Sequence, residues 1–151
     1  LNSCNGLLNI PGLQIANTNT SAGRDYFKNH INSWRSTSLQ PSEYRPDVFV
    51  NFNGKPVIID AKFRMPNSVW LIGEPNGLKD IQAYMNEFDV NAAIIIVPRI
   101  LNQSSINAEG YAEIKGNSRY IFITEMVDSD DILTHQRIKN AIRRTALLQH
   151  S

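Results

Sequence analysis

The chain has 151 residues, a hydrophobic fraction of 42% and a formal net charge of +1. That length suits one domain with a real core, and no apolar run approaches the length of a membrane span. The near-neutral balance excludes the global basicity that announces a non-specific polyanion binder. Cys4 is the only cysteine, which excludes an internal disulfide and a cysteine zinc cluster. A cytoplasmic, intracellular setting is expected. The start at Leu1, without Met or a charged-then-apolar leader, suggests a piece of a larger parent protein.

Residues 1–20 are polar and rich in Asn and Thr at Asn17-Thr-Asn-Thr-Ser21, and they read as an N-terminal extension or linker. The domain is then expected over residues 21–151. Ser21 to Trp34 reads as a helix, with Tyr26 or Phe27, His30 or Ile31, and Trp34 near helical spacing. Asp25 reads as an acid in its first turn, where the helix dipole favours one. A first core strand is not obvious; residues 36–45, or the irregular approach to Pro46, are where it would lie.

Val48-Phe-Val50 and Val57-Ile-Ile59 are short, apolar and rich in β-branched or aromatic residues, so both read as strands. Asn53-Gly54 between them is the strongest two-residue hairpin signal, because a type I′ turn needs positive φ at both central positions. Counting back from that turn sets Phe52 opposite Lys55, Asn51 opposite Pro56, Val48 opposite Ile59 and Asp47 opposite Asp60. The Asp pair falls in the non-hydrogen-bonded class, where Cβ atoms approach to roughly 4.5–5.5 Å. Lys62, two residues beyond Asp60, shares the face. Pro56 suggests that the far side of its strand is a sheet edge. Directly opposed carboxylates destabilise a bare sheet, whereas a bound Mg²⁺ or Mn²⁺ reverses the sign of that effect. Such a conflict between local stability and placement is how a site looks in sequence.

Leu78 to Phe88 reads as a second helix with a core stripe of Leu78, Ile81, Met85 and Phe88, and with Lys79 and Gln82 on another side. Ala92-Ala-Ile-Ile-Ile-Val97 is a buried central strand ended by Pro98. Residues 102–118 read as an exposed loop, Arg119 to Thr124 as a strand, and about Asp130 to Gln149 as a final helix. On that helix Ile132, Leu133, Ile138, Ile142, Ala146 and Leu147 can supply an apolar face, leaving Arg137, Lys139, Arg143 and Arg144 outward. The three histidines show no ligand spacing. The expected fold is α/β, a mixed central β-sheet flanked by helices.

Pro46-Asp47 and Asp60-Ala-Lys62 resemble the two signatures of the PD-(D/E)XK, or restriction-endonuclease-like, nuclease superfamily. The run Tyr44-Arg-Pro-Asp with Ile59-Asp-Ala-Lys-Phe63 is similar to restriction-associated members related to the McrC nuclease subunit. The resemblance spans the region from Asp25 to Val97 and implies an αβββαβ core. It implies metal binding by Asp47, Asp60 and the Ala61 backbone carbonyl, with Lys62 orienting the attacking water and stabilising charge on the phosphate. Asp25 is the candidate for the helix acid, with Glu43 as a weaker alternative. Gln82 and Lys79 are candidates for site support, although the usual Gln-x-x-x-Tyr spacing is absent, Gln82 and Tyr84 being only two apart. Arg45, Arg64, Lys79, Arg143 and Arg144 are candidate phosphate contacts.

The expectation is thus a Mg²⁺-dependent DNA endonuclease domain, with Mn²⁺ as substitute metal, acting in restriction or defence. DNA is the implied partner and a membrane is not; a second copy, or an additional specificity or motor domain or subunit, is left open. Two other readings stand beside it: a catalytically inactive nuclease-like module for nucleic-acid binding or assembly, and a structure-specific, resolvase-like nuclease.

Overall fold

The computed structural model describes residues 5–34, 46–61, 81, 85–86, 89–98, 100, 103–116, 119–126 and 131–149. Its strands are β1 (Leu7–Ile10), β2 (Leu13–Asn17), β3 (Val48–Phe52), β4 (Lys55–Ala61), β5 (Ala92–Val97), β6 (Tyr111–Gly116) and β7 (Arg119–Glu125). Two helices are described from end to end, α1 (Ser21–Trp34) and α2 (Asp131–Gln149), and Ile81, Met85 and Asn86 are helical as well. All seven strands join one sheet in the order β1-β2-β3-β4-β5-β7-β6. The run from β1 to β4 is antiparallel, β4, β5 and β7 are parallel, and β6 closes the far edge antiparallel to β7. The expected α/β architecture, a mixed sheet flanked by helices, is therefore present.

The centre follows the register that the sequence sets. Val48 pairs with Ile59 and Phe52 with Lys55, and Asn53 and Gly54 take φ of 50° and 84°. These are the two positive values that a type I′ turn requires. Pro56 needs a correction, because β4 is an interior strand rather than one bordering an edge. β5 begins its ladder only at Val57 opposite Ala92. Pro56 thus sits just outside the ladder end, where its missing N–H costs nothing, while its carbonyl accepts from Asn91 N–H at 3.1 Å.

Residues 7–17, read from the sequence as part of a linker, instead form the β1–β2 hairpin. Ile10 opposes Leu13 across Pro11-Gly12. Proline presets φ at the second turn position and Gly12 supplies φ of 80° at the third, the chemistry of a type II turn. β2 then pairs with β3, so this hairpin is continuous with the main sheet. It supplies sheet strands ahead of α1, which enters between β2 and β3. Residues 36–45 lie outside the described residues. Residues 102–118 also need a correction, because they include a 3-10 turn at Gln103–Ser105 and the edge strand β6 rather than loop alone.

Alternation of side chains divides the interior into two layers. Ala16, Phe27, Phe49, Ile58, Ile95 and Ile123 fill the α1 side, together with the helical residues Ile81 and Met85. Val50, Val57, Ile94, Phe122 and Ala141 fill the α2 side. Burying one such large side chain contributes about 1.5–3 kcal/mol.

The apolar face expected on α2 is largely corrected. Ile132 and Leu147 are 84% and 61% exposed, and Leu133 is exposed as well. Thr134, Ala141 and Thr145 are the buried positions, with Ile138, Ile142 and Leu148 beside them. Thr145 is tolerated there because its hydroxyl donates to the Ala141 carbonyl at 3.0 Å.

Candidate functional site

Asp47 stands at the entrance to β3 and Asp60 near the end of β4. Phe49 packs its ring against Phe27 of α1, and Ile58 lies in the same layer. Asp47 and Asp60, each two residues away, therefore face the α1 side. Along the parallel strands Asp60 is level with Ile95, near the carboxyl end of β5. Open α/β sheets place their ligands at that end.

The two carboxylates are tied to each other's backbones. Asp47 N–H donates to Asp60 Oδ1 at 3.2 Å, and Ala61 N–H donates to Asp47 Oδ2 at 2.9 Å. Asp60 is nearly buried, at 4% exposure, and Asp47 is half-buried. Each reciprocal bond uses one carboxylate oxygen and fixes the direction of the other. Paired carboxylate oxygens are a hard donor set of the kind that Mg²⁺ or Mn²⁺ takes while keeping several waters. On donor chemistry Asp47 and Asp60 fit such a cation. No group of three or more His, Cys, Asp or Glu side chains able to hold a metal occurs among the described residues.

Asp47 has a second neighbour that the sequence did not single out. Thr18, fully buried, continues β2 and donates its N–H to the Asp47 carbonyl at 3.1 Å. Its hydroxyl donates to the Pro46 carbonyl and lies 3.4 Å from that of Asp47. Thr18 was hidden in the Asn/Thr-rich run read as linker. The usable signal was Thr20, whose hydroxyl accepts from Gly23 N–H at 3.1 Å and so caps α1. With that cap recognised, the residues just before it become the ordered turn between β2 and α1.

Of the remaining candidates, Asp25, Arg143 and Arg144 are not gathered around the pair. Asp25 is exposed and belongs to the second turn of α1, about 200° around the helix from buried Phe27. It points away from the sheet, and its position is not the first-turn placement that the dipole argument assumed. Arg143 and Arg144 lie on α2, on the opposite side of the sheet. Arg144 bonds Glu113 at 3.3 Å and sits over the Tyr120 ring, level with Ala92 rather than Ile95. That is the opposite end of the parallel strands as well as the opposite face. Arg143 reaches Asn140 at 3.4 Å. Lys62, Arg45, Arg64, Lys79 and Gln82 lie outside the described residues.

Among the histidines, His30 packs against the rings of Tyr26 and Phe49, and burial holds its pKa below the usual 6.5. That environment is one of packing rather than ligation. No helix among the described residues is long and apolar enough to cross a membrane. Comparison of the chain with protein-family models, curated proteins and solved structures finds no match.

Proposed function

We propose that this chain is a Mg²⁺-dependent nuclease domain of the PD-(D/E)XK type, hydrolysing phosphodiester bonds in DNA. The observation that carries the reading is the pairing of Asp47 with Asp60 at the carboxyl end of the parallel strands, each carboxylate held by the other strand's backbone. Asp47 and Asp60 would hold the cation, with the Ala61 carbonyl as a further oxygen donor. When bound, the metal supplies Lewis acidity and an acidified water. Lys62 follows Asp60 by two residues, and its ammonium is suited to holding negative charge on a phosphate. Restriction or defence is the proposed setting, with DNA as partner and Mn²⁺ as substitute metal.

A second reading is favoured by the same hydrogen bonds. They give both carboxylates a structural task at the hairpin's open end, which a non-catalytic nucleic-acid-binding or assembly module would also need. Incubation with supercoiled plasmid and with single-stranded DNA, with and without Mg²⁺, separates the two. Mg²⁺-dependent cutting that disappears in Asp60→Ala supports the nuclease. Intact substrates under every condition, with DNA still bound, support the binding module.

A further inference from the structure

We infer that Thr18 is a positioning residue for Asp47, so that the β2–α1 turn belongs to the site rather than to a leader ahead of it. The inference rests on the metal-site reading given above. Three chain segments stand side by side here: Thr18 following β2, Asp47 preceding β3, and Asp60 in β4. Asp47 is gripped from both sides. Asp60 accepts its N–H at 3.2 Å, and Thr18 N–H donates to its carbonyl at 3.1 Å.

The Thr18 hydroxyl adds a bond that packing alone does not require, donating to the Pro46 carbonyl. Pro46 is buried, so without that hydroxyl its carbonyl loses a donor in a place water does not readily reach. The peptide linking Pro46 to Asp47 is thereby fixed, and with it the direction in which the Asp47 carboxylate leaves the backbone. The turn that presents Thr18 is itself tightly built. Asn17 O accepts Thr20 N–H at 3.1 Å and the Thr20 hydroxyl at 2.7 Å. Gly23 lies against the Asn17 backbone, where any Cβ would overlap it. The sequence thus uses Gly23 to bring α1 close, Thr20 to start it, and Thr18 to hold Asp47.

The test compares the full chain with Thr18→Val, which keeps shape and loses the hydroxyl, and with Thr18→Ser, which keeps the hydroxyl. Two quantities are read at a temperature where every variant is folded. One is amide exchange at Ala61, whose N–H is held by Asp47 Oδ2, against Ile123 as an internal reference, without metal. The other is the half-saturating Mn²⁺ concentration. Thr18→Val is expected to speed Ala61 exchange relative to Ile123 and to raise the Mn²⁺ midpoint about tenfold to a hundredfold. Thr18→Ser is expected to return both to the wild-type range. Thr18→Ala serves as the hydroxyl-free variant if Thr18→Val does not fold. A lowered melting temperature with both readouts unchanged makes Thr18 a packing residue only and overturns the inference. Wild-type protein that binds no Mn²⁺, while Thr18→Val still releases the Ala61 amide, sinks the metal reading and leaves the Thr18 anchor standing.

Discussion

Asp47 donates its backbone N–H to the Asp60 carboxylate, and the Asp47 carboxylate accepts the N–H of Ala61, the residue after Asp60. This reciprocity explains how two like charges persist side by side at the end of an antiparallel pair. Bonds from backbone amides offset part of their repulsion, and on the proposed metal reading they orient the pair for a cation.

Asp60→Asn keeps an acceptor for the Asp47 amide and removes one of the opposed charges. In EDTA its unfolding free energy is expected to equal that of the wild type or to exceed it by up to about 1 kcal/mol. Asp60→Ala removes the acceptor and is expected to cost about 1–3 kcal/mol. Urea unfolding of the three proteins checks this; equal losses in Asn and Ala would mean that the charge itself holds the fold.

Lys62→Ala is expected to abolish cleavage while leaving Mn²⁺ affinity largely intact, because its assigned task is on the phosphate rather than on the metal. Cutting at the wild-type rate by this variant under Mg²⁺ would remove Lys62 from the mechanism.

The α2 stripe gives a test that is independent of chemistry. Ala141 is fully buried and Ile132 is 84% exposed. Ala141→Leu should cost about 1–3 kcal/mol through overpacking, whereas Ile132→Ser should stay within about 0.5 kcal/mol. The reverse ranking in urea unfolding would restore the apolar face first expected from the sequence.

His30 sets a pH dependence. Its folded pKa lies below 6.5 because burial disfavours the imidazolium. The unfolded chain therefore binds the proton more readily, and the His30 contribution is complete above about 6.5 and lost as pH falls toward the folded value. Unfolding free energy should drop as pH falls below about 6.5, and His30→Phe should remove that part of the drop. A variant with the same slope would place the titration elsewhere.

The centre of the fold was legible because Asn53-Gly54 fixes a register, and from it Asp47 is placed opposite Asp60 by counting alone. The β1–β2 hairpin was not, although Pro11-Gly12 announces a turn. Its strands are short, Ala16 is the one fully buried residue in them, and the following Asn/Thr run masks a helix cap. β6 was hidden for a related reason: as an edge strand it carries exposed Glu113 and Lys115 and offers only a brief apolar pattern. α2 was located correctly, but its buried face was misread, because Thr134 and Thr145 look polar in sequence yet are buried, Thr145 with its hydroxyl donating back to the Ala141 carbonyl. Asp25 lies away from the pair because the sequence left Tyr26 and Phe27 as alternative core positions, and it is Phe27 that is buried, which turns Asp25 outward.

The most direct measurement is a Mn²⁺ titration of the wild type and of Asp60→Asn by calorimetry. Saturable binding by the wild type is expected, together with its loss in a variant that remains folded. Absent binding in the wild type, or equal affinity in Asp60→Asn, would contradict a metal site built on Asp47 and Asp60.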